Sequence, residues 1–214
     1  MENYIKMDGE PDSFEGGATR YSKRGKGRYD LIPGGVIPSL IAWADLEVFK
    51  DEKSVSISLS DLFRSAYTNN DDIKYLNTLF DFILYEYCNC ESTDKGYIVS
   101  YNEWLYGLNR AIKDIAIHYE FGAEKYGVDN WKNGIPITGG DRGGSFTDSG
   151  LRHLQQYIAK ETDEKHGVAF MWNFVNAIYL QRLECDENEF KKAYHEKQNL
   201  KEVIGDTEPY EFKD

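Results

Sequence analysis

Between Asn102 and Gly127 the chain carries one uninterrupted apolar stripe, Leu105, Leu108, Ile112, Ile115, Ala116 and Tyr119, repeating at three- and four-residue intervals. Such a period fits one face of an α-helix and no strand. A helix of that length cannot bury its stripe alone, so other helices must pack on it. The rest of the chain supplies them. Ile37, Leu40, Ile41, Ala44 and Val48 predict a first helix over 36–49. Ser60 is positioned to cap a short helix through Ala66, and Asp71 or Asp72 to start a longer one through Tyr87, with Ile73, Leu76, Leu79, Phe80, Ile83 and Leu84 inward. After the long helix, Asp148 or Ser149 is the expected cap of a helix to about Lys160, followed by a last one over Asp163 to Leu183 and a short one over Asn188 to His195. Short strands are expected only near Val55 to Ser58 and Tyr97 to Val99. The expected fold class is all-α.

Gaps between the helices are as informative as the helices. Residues 1–30 contain Gly16-Gly17 and a basic run from Arg20 to Arg28 without apolar periodicity, and read as an extended arm whose order needs a partner surface or ligand. Residues 127–147 hold six glycines and one proline, a composition too poor in side chains for a packed element, in a connector long enough to suggest function. The net charge of −12 argues against duplex nucleic acid as a partner, because counterion displacement needs a basic footprint. Three cysteines without metal-type spacing suit a reducing compartment. No apolar leader or membrane-length run is present, so the expectation is a soluble cytoplasmic protein without a membrane partner.

Three polar constellations interrupt this scaffold. Glu120 and Glu124 stand one turn apart, about 40° around a helix, and like charges at that spacing repel unless solvent or a cation separates them. Arg152 and His153 follow the glycine-rich connector. Glu161, Asp163, Glu164 and His166 open the last helix, where Asp163, His166 and Asn173 fall on one face if the helix is continuous. Carboxylates on facing helices suit Mg²⁺ or Mn²⁺, hard cations that take oxygen ligands and retain water. Each constellation singly is also explained by a solvated face, an acidic helix N-terminus or a hydrogen-bonded histidine. Nothing in the chain matches a nucleophile elbow, phosphate loop, dinucleotide fingerprint or zinc motif.

Four segments in order, Gly25-Lys26-Gly27-Arg28-Tyr29-Asp30-Leu31-Ile32-Pro33, Tyr119 to Gly127 with Asn130-Trp131, Leu151-Arg152-His153-Leu154, and Glu161 to His166 with Trp172-Asn173, carry a resemblance. They are similar to a phage-associated dATP/dGTP diphosphohydrolase family, a branch of the MazG-type all-α nucleoside triphosphate pyrophosphohydrolases. The resemblance implies a MazG-like helical bundle built from residues 31–50 and 111–183, a mainly helical insertion over 51–110, the extended arm over 1–30 and a polar tail over 184–214. It implies cleavage of a purine deoxynucleoside triphosphate, dATP, dGTP or a modified purine, between the α- and β-phosphates, in the cytoplasm of a phage host. Glu120, Glu124, Glu161 and Asp163 are the expected metal ligands for Mg²⁺ or Mn²⁺. Glu164 or His166 is expected to accept the proton of water, with His153 and Arg152 beside them. Lys26, Arg28, Lys125 and Arg152 are expected on phosphate oxygens, and Asn130, Trp131 and Asn173 around base and sugar. The wider signature pairs adjacent glutamates with a later Glu-x-x-Asp, whereas this chain offers Glu120 and Glu124, then Glu161-x-x-Glu164. A homo-oligomer is expected, since MazG-type relatives build sites from paired helices across subunits. The competing readings are a catalytically silent nucleotide-sensing or protein-interaction module and a triphosphate-releasing dNTP hydrolase.

Overall fold

A computed structural model describes residues 11–13, 19–21, 25–49, 54–68, 74–88, 91–93, 96–139 and 144–184. Helices dominate them. α1 (Val36–Trp43) continues into a wider turn over Ala44–Val48, closed by the Phe49 amide donating to the Ala44 carbonyl at 2.8 Å. α2 (Leu59–Thr68) and α3 (Lys74–Tyr87) follow, then α4 (Tyr101–Tyr126), α5 (Phe146–Ile158) and α6 (His166–Glu184). Strands are short. β1 (Pro11–Ser13) pairs antiparallel with β2 (Thr19–Tyr21), and β3 (Ser54–Ile57) and β4 (Glu91–Thr93) flank β5 (Gly96–Ser100) in a small antiparallel sheet. Val99 of β5 is buried opposite Val55 while Ile98 is exposed, the alternation expected of a half-buried strand.

α6 is the centre of the bundle. Val168 through Met171 and Asn173 through Ile178 are all buried, which covers every face of the helix rather than a stripe. It packs on α5, α4, α3 and α1. α3 lies inside the segment read as an insertion, yet its Leu79, Phe82, Ile83 and Leu84 are in the same core as Trp104, Leu108 and Ile115 of α4 and Phe170 and Phe174 of α6. α5 and α6 form an antiparallel hairpin, with Gly150 against Asn173 and Phe174 at one end and Tyr157 against Gly167 at the other. Gly150 permits the approach: a Cβ there would lie 2.6 Å from the Phe174 ring.

The boundaries correct three expectations, the first being that Ser60, the expected cap of α2, lies inside that helix. α5 is capped by Ser145, whose Oγ accepts the Asp148 amide at 3.1 Å, so Asp148 sits inside the first turn and neither it nor Ser149 is the cap. α6 begins at His166, and Glu161, Asp163 and Glu164 lie in the bend before it. The reason is local: Ala159 ends α5, Lys160 takes a left-handed φ of 59°, and the chain needs the next residues to reverse direction. α4 starts at Tyr101, one residue before the expected Asn102, with the Ser100 hydroxyl accepting the Glu103 amide. The expected helix over 188–195, residues 71–73 and the connector at 140–143 lie outside the described residues. Among the described residues no helix is long and apolar enough to cross a membrane.

Candidate active site

The basic arm returns to the bundle as a strap on α4. The backbone amides of Gly25 and Gly27 donate to the two carboxylate oxygens of Glu120, each at 2.8 Å, and the Arg28 amide donates to the Ala116 carbonyl at 2.9 Å. Gly27 is the residue this contact demands. Its φ is +86°, and a Cβ would fall 2.8 Å from the Ala116 methyl. Arg28 turns to Asp30, with Nη2 to Oδ2 at 2.6 Å, an ion pair that raises its pKa, chiefly through the hydrogen bond. Lys26 is exposed on the strap.

A cleft of about 240 Å³ opens beside the strap, lined by Leu31, Tyr119, Tyr126, Asn130, Trp131, Ile135 and Trp172 among others. Its walls are mostly apolar and aromatic, with Asn130 and Asp129 as polar edges. The rings are continuous: Tyr119 lies 6.4 Å from Trp131 and 5.8 Å from Trp172, and Trp172 lies 5.8 Å from His118. Tyr119 is fixed by its hydroxyl donating to Asn176 Oδ1 at 2.7 Å, a buried bond. Burial keeps that phenol far above its ordinary pKa.

At the far end of this aromatic path the histidines meet. His166, buried at the start of α6, faces His153 of α5 with Nδ1 to Nδ1 at 3.1 Å, while its Nε2 lies 2.8 Å from Asp163 Oδ1. A carboxylate only accepts, so His166 Nε2 carries the hydrogen and donates to Asp163. In the neutral ring Nδ1 is then a lone pair, and the His153 Nδ1 hydrogen points at it. The bond from His166 is also the chief reason the Asp163 carboxyl titrates below its ordinary range. Burial lowers the pKa of His153, an effect opposed by Glu164, and burial likewise lowers His118, again opposed by Glu164. Neutral imidazoles are competent ligands and proton acceptors near pH 7. Two overlapping groups can hold a divalent metal, His153 with Glu164 and His166, and Glu161 with Asp163 and His166, each with its donor atoms within 4.8 Å of one another.

The structure therefore gathers His153, Glu161, Asp163, Glu164 and His166, residues that the sequence placed in two separate constellations. It does not bring Glu120 or Glu124 into either group among the described residues. Glu120 has both oxygens on the strap, and Glu124 is exposed one turn on. Asn130 and Trp131 line the cleft. Asn173 does not: it is buried at the α5 contact, its amide donating to the Ala169 carbonyl, and the neighbouring Trp172 takes the cleft wall instead. Arg152 is exposed beside His153, and the Lys125 ammonium lies 4.7 Å over the Tyr126 ring, outside the cleft's polar edge. Sequence reading missed His118, Tyr119, Tyr126 and Trp172 as site residues. His118 and Trp172 had a signal, an imidazole and an indole within two residues of suspected positions, but both types are usually core.

Residues 101–191 match the family model described as dATP/dGTP diphosphohydrolase, N-terminal. Over these residues the chain is similar to that family. The match begins with α4 and runs through α5 and α6, so it contains the cleft walls other than Leu31, both histidines and all of the acidic bend. No curated protein and no solved structure matches the chain significantly. The family-model match and the ligand groups together support a nucleotide hydrolase of the MazG type on an all-α bundle.

Proposed function

We propose that the protein hydrolyses purine deoxynucleoside triphosphates between the α- and β-phosphates, yielding monophosphate and pyrophosphate. One observation carries the reading: the ring contacts of an aromatic cleft run through Tyr119 and Trp172 to His118, which lies close enough to Glu164 and His153 of the imidazole and carboxylate cluster to feel their charge. A purine stacks on Trp131 and Tyr119, and the Asn130 amide is the group suited to its polar edge. The triphosphate then points toward the bend at Glu161 to Glu164.

Glu161, Asp163 and Glu164 would supply the oxygen donors that Mg²⁺ or Mn²⁺ prefers. When bound, such a cation neutralises phosphate charge and acidifies water. This chain's own groups do the rest. Arg152 and Lys26, both exposed, reach phosphate oxygens, Arg152 in bidentate fashion. Water adds to the α-phosphorus, the bond from phosphorus to the bridging oxygen breaks, and pyrophosphate leaves with that electron pair. The proton of the attacking water passes to Glu164 or to the His153–His166 pair, in which Asp163 holds the His166 ring in place. Phage nucleotide-pool adjustment is the role that fits this product set. Phe121, Tyr126 and Val128 are 62%, 60% and 58% exposed at the end of α4, and a second copy of the chain covering them would close the cleft rim.

The test is direct. The protein is incubated with each of the four dNTPs and Mg²⁺ or Mn²⁺, and the products are separated chromatographically. Monophosphate and pyrophosphate from dATP and dGTP are expected. Nucleoside and triphosphate, or nucleotide binding without turnover, would overturn the reading.

A further inference from the structure

Hard cations are served by oxygen donors, but the innermost pair at this site is nitrogen. His153 Nδ1 and His166 Nδ1 face one another at 3.1 Å. In the metal-free protein the His153 Nδ1 hydrogen fills the gap; a cation that displaces this proton meets two ring lone pairs. The spacing suits a cation, because two nitrogens each about 2.1 Å from one ion are about 3 Å apart when they bind it at roughly a right angle. Glu164 completes a group whose donor atoms lie within 4.8 Å of one another. His166 is 3% exposed, and its ring is fixed from behind by Asp163, which accepts from Nε2 at 2.8 Å. A carboxylate holding the far nitrogen of a ligating imidazole is the usual support of a metal-binding histidine.

We propose that His153, His166 and Glu164 form a two-nitrogen, one-oxygen site for a late first-row divalent ion of the Co²⁺, Ni²⁺ or Zn²⁺ class. Asp163 is its positioning residue, and Mg²⁺ is discriminated against. Imidazole donors favour these ions over Mg²⁺, which prefers water and carboxylate oxygen. The inference rests on reading this end of α6 as a metal site, and it adds an ion that binds before nucleotide does, from protein donors alone. Glu161 stays outside the nitrogen pair. It accepts from Gln156 Nε2 at 3.1 Å and belongs to the oxygen-rich side of the cluster.

The experiment titrates the metal-free full chain with Co²⁺ in the absence of nucleotide and follows the visible ligand-field absorption. Saturation at one equivalent is expected, with displacement by Zn²⁺ and none by a hundredfold excess of Mg²⁺. His153→Ala and Glu164→Gln, at half-buried and exposed positions, should each weaken binding at least tenfold while circular dichroism stays unchanged. Asp163→Asn should weaken it about 10- to 100-fold, as loss of a supporting carboxylate does. A Co²⁺ spectrum indifferent to His153→Ala, or equal competition by Mg²⁺, overturns the inference. Turnover with Mg²⁺ by a protein that binds no Co²⁺ overturns this site and leaves the hydrolase reading standing. Specific Co²⁺ binding without turnover under any ion supports this site and removes the hydrolase.

Discussion

Glu120→Gln separates two roles that one side chain can have. As a metal ligand, Glu120 would leave the metal-free protein no more stable than the variant, because Gln relieves repulsion with Glu124. As the anchor of the strap it has the opposite sign. Its two oxygens accept from the Gly25 and Gly27 amides at 2.8 Å, and hydrogen bonds to a charged group contribute about 1.5–3 kcal/mol each. The Gly25 bond is exposed, so water replaces it cheaply, whereas Gly27 is buried against Ala116. Gln retains one acceptor and places an amide N–H₂ where the second oxygen was, so about 2 kcal/mol is lost rather than the sum. If the loss is global, urea denaturation of the metal-free protein shows it, with a fall in melting temperature of about 4–8 °C for a chain of this size. If the strap opens by itself, hydrogen exchange at the Gly27 and Arg28 amides accelerates about thirtyfold, the equivalent of 2 kcal/mol. Metal affinity should change less than twofold. Unchanged stability and exchange, together with a tenfold weaker metal affinity, would refute the anchoring argument and restore Glu120 as a ligand.

Three further outcomes follow from the packing and the charges. Gly150→Ala should lower stability by about 1–2 kcal/mol in urea, since a Cβ 2.6 Å from the fully buried Phe174 ring must displace it, a cost that exceeds the helix-propensity gain; a raised midpoint would mean that the α5/α6 crossing is loose. Tyr119→Phe removes the donor to Asn176 Oδ1 in a buried bond, so it should cost about 1–3 kcal/mol and weaken purine nucleotide binding, measured by denaturation and by calorimetry. Because His118 and His153 have folded pKa values below the ordinary 6.5, the unfolded chain binds more protons between the two values. Their contribution is present above about pH 6.5 and is lost as pH falls through that window. Urea midpoints at pH 7.5 and 5.5 should show the loss, and His153→Gln should flatten it; a midpoint that rises toward acid contradicts the burial argument.

Much of the scaffold was legible because it depends on period and punctuation. The stripe from Leu105 to Tyr119, the stop at Gly127 and the β-branched residues around Val55 and Val99 each report a local preference that the bundle agrees with. The order of short motifs likewise pointed to the family whose model matches residues 101–191. Periodicity, though, states which face of a helix is buried and says nothing of what arrives there from ninety residues away. The strap reaches Glu120 across that distance, and only its close passage over Ala116 gives the carboxylate its partners. The angular argument for Asp163 assumed a helix that starts three residues later. The turn nevertheless delivers the carboxylate to His166 Nε2, and that bond, not the spacing, decides which nitrogen is left to face His153. A side chain's chemistry is in the sequence; the proton it holds and the atom it faces are set by which elements the tertiary fold presses together.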